Sequence, residues 1–419
     1  MSSSPTPTTQ EADPLSSTVP APLMSELKVT LIGALLIAVG PVSMVLYTPA
    51  LPDIVRYFGT TGAMVQMTVT LYFGGFALTQ LICGPISDAI GRRPVILTFM
   101  SIYLVSCIMV LLAESIEVML AARFLQGVGA AAGMAIARAI VRDVFTDARA
   151  VRIMNLMGLF IAIAPAAAPA LGGLTIEFAP WKTLFALMAI MGVGVIGVTI
   201  FSLRETITRD VSRLRPRALL ASYRTLLTTP YFMLASLVVA LSIGAVYMLA
   251  TVLPFILMVR VGLSPTAYGL SQILQAGAYI LGALAVQTLL PRRGADALVP
   301  IGLAVVIAGC IALVALIALF GPTFLTVMLP IAVYSFGIAF IMPSMLTNSL
   351  MPFPSMAGAA SALTAFLQMA AGLISSALAA AFANPTVSLA VLMPAMGVAS
   401  ALCWLYWRRL PAPGPTIKT

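Results

Sequence analysis

Uncharged stretches of about 20 residues recur along this chain with only short polar interruptions, and that is the length one helix needs to cross the hydrocarbon core of a bilayer. Twelve spans are read, at about 29–51, 64–86, 94–113, 118–141, 151–175, 182–203, 231–258, 266–290, 298–320, 323–348, 357–382 and 386–407. Only 8% of the 419 residues are charged and 61% are hydrophobic, which is too little polar surface for a water-facing exterior. The expected fold class is therefore an all-α membrane protein, its twelve transmembrane helices arranged as two six-helix halves.

Composition also removes most enzymology, and no enzyme activity is expected. The chain has no histidine, so histidine general bases, Ser-His dyads and triads and His-bearing zinc sites are unavailable. Its lysines, Lys28, Lys182 and Lys418, follow Leu27, Trp181 and Ile417, so none completes a Gly-Lys-Ser/Thr phosphate loop. Cys83, Cys107, Cys310 and Cys403 lie singly in apolar runs and read as small buried hydrophobes. No metal and no cofactor are expected.

Alternate connections differ in Lys and Arg content. Seventeen of the 22 fall on the side of the N-terminus, three (Arg56, Lys182 and Arg260) on the other, and Arg123 and Arg138 lie inside a span. Both termini are thus expected in the cytoplasm. The net charge of +9 reads as a rim facing anionic headgroups, with no nucleic-acid partner. The expected organisation is a disordered cytoplasmic tail over 1–28 with no signal peptide, a six-helix bundle over 29–203, a basic cytoplasmic linker over 204–230, a second bundle over 231–409 and a tail over 410–419. If the halves are repeats, the basic turn Pro291-Arg292-Arg293-Gly294 echoes the loop at 84–93.

That loop reads Gly84-Pro85-Ile86-Ser87-Asp88-Ala89-Ile90-Gly91-Arg92-Arg93. Gly84 allows close helix approach, Gly91 a tight turn, and Asp88 can pair with Arg92 four residues on. Downstream, Asp143 is placed to pair with Arg92 across the same surface as a two-state latch. The loop resembles the signature between spans two and three of the major facilitator superfamily, with Ala89 where that family usually has a basic residue. The run from Arg123 through Gln126 to Ala131 is similar to the family's fourth-span motif, whose arginine is associated with proton transfer. An arginine within hydrocarbon is costly and marks function, though Arg123, about 9 Å from Glu117, is also within reach of the interface by snorkelling. The segment with Pro165, Pro169, Gly172 and Gly173 resembles the antiporter motif of drug exporters, with Ala168 replacing its leading glycine; the prolines kink the helix and the glycines remove bulk.

Leu46-Tyr47-Thr48-Pro49, Trp181-Lys182-Thr183, Arg204-Glu205-Thr206 and the run from Pro354 to Leu363 look like the bicyclomycin and chloramphenicol resistance group (Bcr/CflA). That resemblance implies export of small amphipathic drugs in exchange for protons, by a single polypeptide in the bacterial inner membrane. The sequence departs from the group at Val45, where an acid is common, and none of its thirteen acids lies near the middle of a span. By depth, an acid at 45 is expected to face Arg123. The substrate cavity is expected to draw on Met44, Tyr47, Gln126, Asn155, Tyr247, Gln275, Tyr279, Tyr334 and Gln368. Two other readings fit: an exporter or uniporter of a neutral or anionic metabolite with Arg123 as its anion site, and a non-transporting membrane receptor on the same fold.

Overall fold

The computed structural model describes residues 24–145, 148–213 and 216–412. The expected tails fall largely outside them, as does Asp147. Fourteen α-helices are described: α1 (Glu26–Val45), α2 (Leu51–Phe58), α3 (Gly62–Ile90), α4 (Arg92–Leu111), α5 (Ile116–Val144), α6 (Ala148–Phe178), α7 (Lys182–Phe201), α8 (Pro216–Leu227), α9 (Pro230–Pro254), α10 (Pro265–Arg293), α11 (Ala295–Phe320), α12 (Phe324–Leu350), α13 (Ala357–Ala380) and α14 (Pro385–Trp407). Together they supply twelve helical segments long and apolar enough to cross a membrane, the first comprising α1 and α2. Several run past the hydrophobic limits read from sequence, because polar residues at the ends extend the helices beyond the apolar core. The linker is not extended chain throughout, since it contains α8.

One end of the bundle, where α1 begins, carries most of the arginines and is called here the basic end. Of the six spans that start at the opposite end, all but α7 are capped by a side chain at their N-terminus. Thr61, Ser115, Ser264 and Thr323 each accept a hydrogen bond from the backbone N–H three residues on, and Asn384 does so for α14. At the same end Lys182 donates to the Leu111 and Ala113 carbonyls, closing the C-terminus of α4.

The first spans of both halves break at the opposite end. After α1 the chain makes a 3-10 turn, Thr48–Ala50, whose Pro49 withholds an N–H. After Pro254, α9 widens into a π-helical turn, Phe255–Arg260.

Two cores follow from this layout. The first gathers α1 and α3 to α7; the second gathers α9 to α12 and α14. The halves meet along two seams, α3 against α13 and α6 against α10. The linker helix α8 lies on the α3–α13 seam: Leu226 is buried among Phe232, Phe353 and Leu363, and the Tyr223 hydroxyl donates to the Leu81 carbonyl of α3 at 2.6 Å. Burial pushes the Tyr223 phenol up to about 12, so it stays a neutral donor.

Candidate functional site

Arg123 is the largest fully buried side chain of the molecule, with no exposed surface. It does not snorkel. From α5 it points inward among α1, α3 and α7, where Nε donates to the Thr68 carbonyl at 3.4 Å and Nη1 to the Ser43 carbonyl at 3.2 Å and to Gln126 Oε1. Its guanidinium carbon lies 4.2 Å from the Tyr47 ring centroid and 4.5 Å from that of Tyr72. Those rings are fixed in turn, Tyr47 by Thr68 at 2.9 Å and Tyr72 by the Gly40 carbonyl at 2.8 Å. Among the described residues no carboxylate pairs with Arg123, and its Nη2 has no partner. Inserting an arginine at this depth costs about 3 kcal/mol on insertion scales. Desolvated cation–π contacts at about 2 kcal/mol each and charge-assisted bonds at about 1.5–3 kcal/mol each offset that cost without an acid.

Val45 is the last residue of α1 and is buried in the core of the first half, where its carbonyl accepts from the Thr48 hydroxyl at 2.8 Å.

At the basic end Asp88, Arg92 and Asp143 come together. Arg92 pairs with Asp88 and, through Nε at 2.9 Å, with Asp143; Nη1 also donates to the Ser87 hydroxyl at 2.6 Å. Sequence reading missed the fourth member. The Glu205 carboxylate, from the segment after α7, accepts the backbone N–H groups of Arg92 at 2.8 Å and Arg93 at 3.2 Å, an anion seated on the N-terminus of α4. Thr206 then donates to Asp143 at 2.8 Å. Gly91 makes room for the cap: its φ is +112°, and a Cβ there would lie 2.6 Å from Glu205 Oε2. Gly84 faces open space, so the close approach expected of it is not found. The signal for Glu205 was its place in Arg204-Glu205-Thr206, but nothing local says that its partner lies more than a hundred residues upstream.

At the opposite end the halves touch main chain to main chain. A Cβ on Gly173 would strike the Pro265 carbonyl oxygen at 2.2 Å, and one on Gly269 would strike the Pro169 carbonyl oxygen at 2.3 Å, so α6 and α10 form a reciprocal clasp. Gly172 meets the Leu46 carbonyl oxygen in the same way. Tyr268 donates to Thr48 at 3.2 Å, and the Phe73 and Tyr247 rings stack across the halves at 5.4 Å. Pro165 and Pro169 both lie within α6, one turn apart.

The nine residues of the expected cavity differ in burial. Tyr47, Gln126 and Tyr334 are fully buried in helix packing: Tyr47 and Gln126 hold Arg123, and Tyr334 donates to the Ser242 carbonyl at 3.2 Å. Their hydroxyl and amide groups are consumed by intrahalf bonds, as usual for polar groups in spans. Met44 is also buried; Tyr247, Gln275, Tyr279 and Gln368 are half-buried and Asn155 is exposed. Two surface depressions, about 540 Å³ between α2 and the π-turn and about 270 Å³ among α1, α6 and α7, are lined by none of these nine residues.

Twelve spans in two halves, a latched loop between spans two and three and a seam closed at one end define a membrane transporter rather than an enzyme. The sequence profile of the Major Facilitator Superfamily matches residues 33–376, and the chain belongs to that family. It is 29% identical over 377 residues to Multidrug resistance protein D of Escherichia coli (strain K12), covering 88% of this chain and 93% of that protein. An uncharacterized MFS-type transporter of Bacillus subtilis (strain 168), YdgK, is likewise 29% identical, over 89% of this chain and 93% of its own length. Among solved structures, a D-xylose-proton symporter superposes with a TM-score of 0.73 at 15% identity, covering 92% of this chain and 98% of that one. An inward-facing, unoccupied bacterial homolog of the human lysosomal transporter Spinster superposes at 0.69 with 16% identity, covering 91% and 96%.

Proposed function

We propose that the chain exports small amphipathic molecules from the cytoplasm by alternating access in exchange for protons, as a monomer in the bacterial inner membrane with the basic end and both termini inside. The observation that carries this reading is the clasp at the opposite end, where Gly173 and Gly269 let the main chains of the two halves meet. Two halves that meet there over bare backbone, with no side chain interlocked, suit a seam that opens and closes in such a cycle. The similarity to a multidrug resistance protein along nearly the whole chain supports drug export, and the motif resemblances support the bicyclomycin and chloramphenicol resistance group.

The substrates are neutral, zwitterionic or anionic. A permanent cation entering the spans would meet no compensating carboxylate, so its desolvation is unfavourable. That absence also favours the second reading, a transporter of a neutral or anionic metabolite. Efflux of a neutral phenicol and of a permanently cationic dye, compared in cells at two external pH values, tests the reading. Phenicol efflux that rises at acidic external pH, with poor dye efflux, is expected; strong dye efflux refutes the charge argument. Proton release when substrate is added to purified protein tests the coupling, and reporters fused after Arg217 and after Arg409 test the orientation.

A further inference from the structure

The linker helix α8 has three faces. Tyr223 and Leu226 turn to the bundle, while Ala218, Ala221 and Thr225 form an exposed side of small residues. Between them runs Arg217, Leu220, Arg224 and Leu227, spaced three, four and three residues apart, which aligns them on one stripe. All four are exposed, Leu220 by 70% and Leu227 by 50%. Among the described residues neither arginine forms an ion pair, and α8 holds no acid to receive one.

Height places this stripe. Tyr223 is anchored to Leu81, nineteen residues along α3 from Gly62, which is roughly 28 Å from the opposite end. The hydrocarbon core is about 30 Å thick, so α8 sits at the level of the inner headgroups and not below the membrane. Leu78 and Ile82 of α3, close to that level, are 53% and 48% exposed, as lipid-facing residues are. A stripe that alternates leucine with unpaired arginine fits this boundary, with leucine stems toward acyl chains and guanidinium forks toward phosphate oxygens.

We propose that the Arg217–Leu220–Arg224–Leu227 stripe binds the headgroups of anionic phospholipids in the inner leaflet. Bound lipid holds α8 against both halves, since the helix is tied to α3 through Tyr223 and to α9, Phe353 and α13 through Leu226.

The test uses the full chain, purified in detergent, with an environment-sensitive fluorophore at Ala221→Cys, exposed beside the stripe, in a Cys403→Ser background. Titration with phosphatidylglycerol is expected to shift the emission to saturation, whereas phosphatidylcholine does not. Arg217→Gln with Arg224→Gln should weaken the phosphatidylglycerol midpoint about 25-fold, roughly fivefold for each arginine. Inorganic phosphate at matched concentration is expected to leave the emission unchanged; a response equal to that of the lipid identifies a free-anion site and overturns the proposal. So does an equal response to the two lipids, or a midpoint unmoved by the double substitution. The readout requires no transported substrate, so its outcome is independent of the export reading.

Discussion

The two halves are built to one plan and hold themselves together differently. The first buries Arg123 completely and Arg92 nearly so, and threads Asp88, Asp143 and Glu205 around the latter. The second has no charged residue inside a span, its chain being uncharged over 225–259, 261–291 and 297–407. Its helices are joined by neutral bonds, Ser236 to Thr364 at 3.1 Å, Ser242 to Ser400 at 3.0 Å and Ser375 to the Gly244 carbonyl at 3.1 Å. At its basic end a single acid, Asp296, accepts bonds from Ser344 and Asn348. Six helices therefore pack without internal charge, and buried ion pairs are in general weak contributors to stability. The first half's charges are better accounted for by the cycle than by the fold.

Only at the seam do the halves contribute equally, and there the largest effects are expected. Gly173→Leu and Gly269→Leu should each remove transport, because either side chain meets a main-chain carbonyl of the other half and the opposite end cannot close. Substrate counterflow in proteoliposomes measures this; full activity in either variant breaks the symmetry of the clasp.

Next comes the contrast between interiors. Arg123→Ala should cut the transport rate to below about a hundredth of wild type, roughly 2.7 kcal/mol in the limiting barrier, and Arg123→Lys should recover little, since an ammonium cannot fork between the Ser43 and Thr68 carbonyls. Tyr334→Phe in the second half removes one neutral bond, costs about 1 kcal/mol of stability and should leave the rate within about twofold. Comparable losses in both would mean that the interiors do the same work.

The loops give a smaller difference. Asp88→Asn is expected to lower efflux to below about a tenth while the protein still reaches the membrane, whereas Asp296→Asn should stay within about twofold. Drug accumulation normalised to membrane expression decides between them.

The smallest effect is on stability alone. Gly91→Ala should cost about 1–3 kcal/mol, since the residue has a left-handed φ and its new methyl would press on the Glu205 cap. Gly294→Ala has a φ of +75° with open space around it, so thermal denaturation should show a smaller loss.

Much of this was legible beforehand. The spans follow from runs of uncharged residues, and the Arg92–Asp143 pair from two motifs that topology brings to one surface. The repeat echo at Pro291–Gly294 also falls at the α10–α11 turn, with Gly294 in a positive-φ conformation like Gly91. What sequence could not supply is rotation. Whether Arg123 climbs to the interface or turns inward, and whether position 45 looks at it, depends on how helices are turned about their axes. No single apolar face announces that angle when a helix is hydrophobic all round. The Glu205 cap was hidden for another reason, because a helix N-terminus accepts an anion from anywhere in the chain.

The α6–α10 clasp is made from carbonyl oxygens and absent side chains, and every amino acid carries the same carbonyl. Residues lining the route can therefore be exchanged for others of different size and polarity without altering the surfaces that close. In the export cycle proposed above, cargo preference and closure would thus be set by different atoms, and closure would ask only that positions 173 and 269 stay bare.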